Sequence, residues 1–349
     1  HHRSRPSGHC PGGDPVSGPG LDRLLGNGDL DGLLRLVDEA CDDGAWDDLE
    51  QVALRARNAH DRGYQLWPAA DHAEHRLALE APADRAAAAV LRDAPTFGLA
   101  PLAEVVASTH RWVDLEPHFP IDAGPVRSVV AHERVARGED LTGTDLAEDP
   151  LGLPLTLAPW EPRLEGPAIG AYSVEDPVPA PGPTRDVDAV DNAPPAGPDG
   201  DPGLTALGDL TAVWAEQSNG LRRAAAVRGT AAQAVASLSG HPGRHHRLPV
   251  DEALGLLAWA GASGGAHGRR RGMARGRFEA WWCSAALTGL DDAWPPDGED
   301  LGGAVAELSW WRWDDGTPPT GWHLLIAVED PADGLAWALD ARDVADPTS

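Results

Sequence analysis

The residues best placed to do chemistry lie in one stretch, 261–278, GASGGAHGRRRGMARGRF. Five arginines, Arg269, Arg270, Arg271, Arg275 and Arg277, fall within nine residues, and the positions before and between them are rich in glycine. The pattern after them predicts a helix. Guanidinium forks bind phosphate and carboxylate in bidentate fashion. Gly265 and Gly268 would let backbone N–H groups approach a ligand, and a helix N-terminus favours an anion. Five cations this close repel one another unless something negative answers them. The expectation is therefore an anion site: Arg269, Arg270 and Arg271 supply charge, Gly265 and Gly268 backbone donors, and Arg275 and Arg277 helix-end contacts. The competing expectation is that the chain's own acids do the answering. The nearest candidates are Asp291, Asp292, Asp297, Glu299 and Asp300.

Two further motifs overlap this stretch. Gly265-Ala-His-Gly268 fits the GxxG loop of a KH module, which would make the GAHGRRRG loop an RNA contact. Gly261-Ala-Ser263-Gly-Gly265 fits the GxSxG nucleophile elbow, with Asp314 or Asp315 and then His323 in hydrolase order. The elbow needs a strand before Ser263 and a helix directly after it. Leu254, Leu257, Ala258 and Gly261 instead have helical spacing, and the residues after Ser263 are too Gly-rich to start a helix. Asp71-His72-Ala-Glu74-His75 carries two His at i, i+3. It is neither HExxH nor HxxEH, and reads as a solvated helix face rather than a metal site. His132-Glu133 has no partner spacing, and GRHHR (244–247 with its preceding Gly) reads as an exposed basic loop. Arg277 and Trp281, at i, i+4, can stack.

Composition narrows the chemistry further. All 28 basic residues of the 349 are Arg, so P-loop, Schiff-base and pyridoxal lysines are excluded. The scarcity of Lys beside 40 Gly and 32 Pro points to a GC-rich genome. The three cysteines, Cys10, Cys41 and Cys283, form no CxxC and no disulfide framework, which fits a reducing, cytoplasmic setting. The formal charge of −27 repels nucleic acid, so DNA is disfavoured as a partner. Only the block 204–290 is basic, with ten Arg against five acids. The longest charge-free apolar run, Ala253–Ala266, is too short to span a membrane. No cofactor is expected, and no oligomeric state is read from the sequence.

The elements that must carry these residues follow from periodicity. Leu30, Leu33, Leu34, Val37 and Cys41 share one helical face, with Asp29 as N-cap. Further helices are expected near 46–61, 65–80, 84–92, 99–109 and 124–137, stacked antiparallel as a bundle or short solenoid. Residues 1–20 are expected to be a disordered lead, 150–175 extended, and the Pro-rich 176–203 a flexible linker. Beyond it the pattern becomes mixed. LTAVWAEQ–SNG–LRRAAAVRG reads as a hairpin, helices fall near 230–239, 250–261 and 274–289, and residues 304–313 alternate as a strand. Residues 322–328 and 335–339 form a second hairpin. Both faces of the Trp310–Trp313 strand should be covered, one by these helices and the other by the N-terminal domain. The expected fold is multi-domain. An all-α domain of stacked antiparallel helices over 21–149 is joined through 150–203 to an α+β domain over 204–345 with a mostly antiparallel sheet.

The stretches SNGLRRAAAVRG, LLAWAGASGGAHGRRRGMARGRFEAWW and LSWWRWDDGTPPTGWHLLIAVEDPADGLAWALDARD, with AHERVARGEDL at 131–141, resemble a family of uncharacterised two-domain proteins of high-GC bacteria. The resemblance implies that the two-part layout is one unit, and it brings no assigned activity or cofactor. The functional expectation is a non-enzymatic cytosolic binding or scaffold protein that engages an acidic protein or a phosphate-bearing ligand. A Ser263 hydrolase and an RNA-binding module are the alternatives.

Overall fold

A computed structural model describes residues 19–59, 63, 65–92, 99–164, 166–180, 182–187, 194–317 and 321–343. Most of the expected lead lies outside them. Pro19 and Gly20 instead open a helix, α1 (Pro19–Asn27), which is followed by α2 (Leu30–Asp42), α3 (Trp46–Asn58), α4 (Trp67–Glu80), α5 (Ala83–Leu91), α6 (Leu102–Thr109), the short α7 (Trp112–Leu115) and α8 (Pro125–Ala136). Asp29 caps α2 as expected, its side chain accepting from the Gly32 N–H at 2.9 Å. The N-terminal region is thus helical. Its first core gathers Leu21, Leu33, Val37, Leu49, Val52 and Leu77 from α1–α4. A second joins Val90, Val105, Val106, Leu115, Val130 and Val135 from α5–α8.

The segment expected to be extended and then flexible is used structurally where it is described. β1 (Ala168–Ile169) and β2 (Val174–Glu175) pair antiparallel, and β3 (Arg185–Asp186) joins the large sheet. Proline limits such strands to short or edge positions, and β3 is an edge of two residues.

The C-terminal region contains α9 (Pro202–Asp209), α10 (Ala212–Gln217), β4 (Leu221–Arg228), α11 (Ala231–Ser239), β5 (Arg244–Leu248), α12 (Val250–Ala262), α13 (Met273–Leu287), α14 (Gly298–Glu307), β6 (Ser309–Asp314), β7 (Trp322–Asp330) and β8 (Leu335–Asp343). The six-stranded sheet is antiparallel throughout, in the order β3-β5-β6-β7-β8-β4. The β7–β8 hairpin forms as expected. Asp330 Oδ1 accepts from the N–H groups of Ala332 and Asp333, and Gly334 takes φ +63° to close the turn.

Three local expectations are corrected. LTAVWAEQ is not a hairpin arm: 212–217 is α10, and the Gly220 N–H donates back to the Trp214 carbonyl at 2.9 Å. A Cβ on Gly220 would stand 2.7 Å from Trp214 backbone, so Asn-Gly here closes a helix onto a strand whose partner is the distant β8. The strand expected from residue 304 starts only at Ser309, because Asp297 caps α14 by accepting from the Glu299 and Asp300 N–H groups, and that helix runs through Glu307. GRHHR is β5, not an exposed loop: the ladder partners of His245 and Arg247 are Trp313 and Trp311.

The strand β6 is covered on both faces, although the second cover differs from the expected one. Trp310 lies in the core under α12 and α13, whereas Trp313 lies with Val227, Ala234, Val235 and Leu325 beneath α11. The N-terminal region meets the other layer, at α13. That helix is buried on nearly every side and packs on α12, α9 and α8. Its crossing with α12 is close. A Cβ on Gly276 would sit 2.2 Å from the Ala258 carbonyl, and one on Gly261 would sit 2.7 Å from Glu279 Cβ. Two of the glycines in the candidate stretch are therefore packing requirements.

Candidate functional site

The loop between α12 and α13 folds on itself before it faces anything else. Gly265 takes φ +79°. A Cβ on Gly268 would sit 2.0 Å from the Gly264 carbonyl oxygen. The N–H groups of Gly265, Ala266 and His267 donate to Ser263 Oγ, Asp343 Oδ2 and Ser218 Oγ at 3.0, 2.6 and 3.0 Å. The Gly265 donor expected for a ligand is thus already engaged, and Gly268 serves the turn. The same engagement uses up the backbone a KH-type loop would offer to RNA.

Arg270, Arg277, Arg271 and Arg275 are answered by the chain's own carboxylates. Arg270 grips Glu104 in a fork, Nε to Oε2 at 2.7 Å and Nη2 to Oε1 at 2.9 Å, and its Nη1 pairs with Asp176. Arg277, 1% exposed, grips Glu161 at 2.6 and 2.8 Å and donates to the carbonyls of Pro154 and Thr156. Its guanidinium also lies 5.7 Å from the Trp281 ring, the expected stacking. Arg271 and Arg275 share one partner, Glu279 Oε1, at 2.6 and 2.8 Å. The partners come from α6, the segments 154–161 and 176, and α13 itself, not from Asp291–Asp300.

The start of α13 does hold an anion, and the protein supplies it. Glu104 Oε1 accepts from the Met273 N–H at 3.2 Å, and Glu133 Oε1 from the Ala274 N–H at 2.8 Å. These are the orphan donors of a first helical turn, where negative charge is favoured. Glu133 also receives Arg137 Nη1 at 2.5 Å. Its burial, with Glu104 close by, pushes its pKa up despite Arg137. A nearby pair is also buried. His132 Nε2 and Ser128 Oγ lie 3.0 and 2.7 Å from Asp149 Oδ1. Burial alone would raise the Asp149 pKa, but these hydrogen bonds outweigh it and hold the carboxyl below its usual range. His132-Glu133 has no metal-ligand spacing, yet it anchors the junction of the two regions through Asp149 and the Ala274 N–H. The legible signal was the Glu133–Arg137 spacing of four.

The hydrolase constellation is not assembled. Ser263 is buried at the end of a helix, not a strand, and its Oγ accepts from Gly265. Asp314 pairs with Arg244, Asp315 with Arg342, and His323 Nδ1 is 3.2 Å from the Gly321 carbonyl. The DHAEH segment is likewise not solvated, since Asp71, Glu74 and His75 are buried on α4. Among the described residues no group of three or more His, Cys, Asp or Glu is arranged for a metal ion, and no helix is long and apolar enough to cross a membrane.

What stays open at the junction is a cleft of about 350 Å³. It is lined by Val90, Leu102, Val126 and Val129 from α5, α6 and α8, with Arg269 and Arg270 at its edge. Arg269 is exposed. No curated protein and no solved structure matches the chain. A family model does match, over residues 31–345, and the chain belongs to that family, described as "Family of unknown function (DUF6183)".

Proposed function

We propose that this protein is a non-enzymatic, cytosolic binding or scaffold protein of two domains, from an organism with a GC-rich genome. Its ligand combines an apolar body with an anionic head, presented by a phosphate-bearing molecule or by an acidic protein. The observation that carries the reading is the apolar cleft opening beside exposed Arg269 in an otherwise acidic chain. Arg271, in the loop, and Arg275, in the first turn of α13, share one carboxylate and so leave a positive charge beside it. Arg270, itself in the cleft's lining, is held in place by Glu104 and Asp176. Buried free thiols at Cys41 and Cys283 fit a reducing compartment. A pocket of this size accommodates a small ligand or a few side chains.

The test is calorimetric titration of the full chain with octyl phosphate and with octanol. Octyl phosphate should bind more tightly, and Arg269→Glu should weaken it at least tenfold while leaving octanol unchanged. Equal affinity for the two probes, or indifference to Arg269→Glu, would overturn the reading.

A further inference from the structure

The start of α13 is held by a cluster of five charged groups in which acids outnumber bases. Glu104 and Glu133, from α6 and α8, are 0% and 1% exposed and accept from the Met273 and Ala274 N–H groups. Asp176, just after β2, joins them through Arg270. The two cations are Arg270 and Arg137. The approach of Glu133 to the helix is close: a Cβ on Gly272, which takes φ +91°, would sit 2.6 Å from its Oε1. Charge compensation is incomplete. Arg137 gives Nη1 to Glu133 Oε2, while its buried Nη2 makes no hydrogen bond among the described residues and stands 3.8 Å from Glu104 Oε1. Other charged groups on these elements have partners of their own: His132 has Asp149, Arg134 has Glu139, Arg271 and Arg275 have Glu279, and Arg277 has Glu161. Arg269 is exposed at the cleft.

Three largely buried carboxylates against two guanidinium groups repel one another, and the first-turn N–H groups add only a partial positive charge. Burial, and then the like charge of Glu104, push the Glu133 pKa up against the pull of Arg137 and the Ala274 N–H. Burial likewise outweighs Arg270 and raises the Asp176 pKa. We propose that this cluster is a pH-sensitive fastener between the helical region and α13, which tightens when Glu133 takes up a proton and loosens when that proton leaves. The sign follows from linkage. A carboxyl raised in the folded state contributes fully below its ordinary 4.5, and the contribution is lost as pH rises through the folded pKa. Arg270 lines the cleft and is gripped by Glu104, so loosening reaches the cleft wall. The fastener needs no ligand there and stands apart from the reading of Arg269.

The experiment is native-state hydrogen exchange of the full chain at pH 5 and pH 8, corrected for the intrinsic pH dependence of exchange. Protection of the Met273 and Ala274 amides, relative to Ile326 and Ala327 in β7, should fall about tenfold or more from pH 5 to pH 8. Glu133→Gln, which keeps the side chain neutral at every pH, should remove that fall. In urea unfolding the same variant should be costlier at pH 5 than at pH 8, whereas a merely structural partner of Arg137 would cost as much or more at pH 8. Wild-type protection that holds or rises toward pH 8 would overturn the proposal, and it decides the matter even if Glu133→Gln does not fold. A parallel fall in Glu133→Gln would overturn it as well, because the proton would then belong to another group.

Discussion

Arg277 and Arg312 are both buried in the C-terminal region, and they are held in opposite ways. Arg277 is forked onto Glu161, whose side chain is 4% exposed. Arg312, itself 4% exposed, has no carboxylate partner among the described residues. It donates to the Ala180 carbonyl at 3.0 Å, and its Nη2 lies 3.4 Å from His323 Nε2. Burial with nothing negative beside it pushes the Arg312 pKa down. The other buried arginines, Arg76, Arg127 and Arg137, resemble Arg277 in having acids. A buried ion pair is expensive to assemble and costly to break from one side, because the survivor stays desolvated and alone. A buried guanidinium without an ion-pair partner has no such hold on its surroundings. Arg277 therefore fastens segment 154–161 to α13, while Arg312 only tethers the strap at Ala180 to β6.

That contrast can be broken or sharpened by substitution. Arg277→Met should cost the most, roughly 3–5 kcal/mol in denaturant unfolding, since Glu161 would be left buried and unpaired. Asp149→Asn should cost roughly 1–2 kcal/mol at neutral pH by weakening the bonds from Ser128 and His132. It also has a pH signature. The folded carboxyl titrates below its ordinary 3.8, so its contribution is complete above that value and is lost as pH falls through the folded pKa. Asp149→Asn should flatten that acid limb, and an unchanged limb would assign acid unfolding elsewhere. Arg312→Met should lose no more than about 1 kcal/mol and can gain, because no carboxylate is orphaned. A loss equal to that of Arg277→Met would erase the distinction. Arg275→Ala should cost least, within about 0.5 kcal/mol, since its side chain is 43% exposed and Arg271 remains on Glu279.

Periodicity made most helices legible, α2 to α6, α8, and α11 to α13, along with the β7–β8 hairpin. Local signals identified these elements because each buries a face whose spacing is visible within a dozen residues. What stayed hidden was long-range. Glu104 and Arg270 are 166 residues apart, so the clustering of arginines announced a need for negative charge without naming its source. The polar spelling of DHAEH suggested solvent exposure. On α4, which is packed by α2, α3, α5 and α6, those groups instead meet Arg57, Asp38 and the Gly170 carbonyl under cover. Residues 304–307 alternate as a strand would, and the Asp297 cap decided for helix. GRHHR looked like a loop because an edge-side strand tolerates charge on its open face.

The junction itself is tested most directly by a double-mutant cycle on Glu104 and Arg270, with Glu104→Gln, Arg270→Met and the pair compared by equilibrium unfolding of the full chain. The expected result is that each single change destabilises and the double change costs less than their sum, with a coupling of at least about 1 kcal/mol. Additive losses would contradict the claim that the arginine-rich loop fastens the helical region to α13 through this pair.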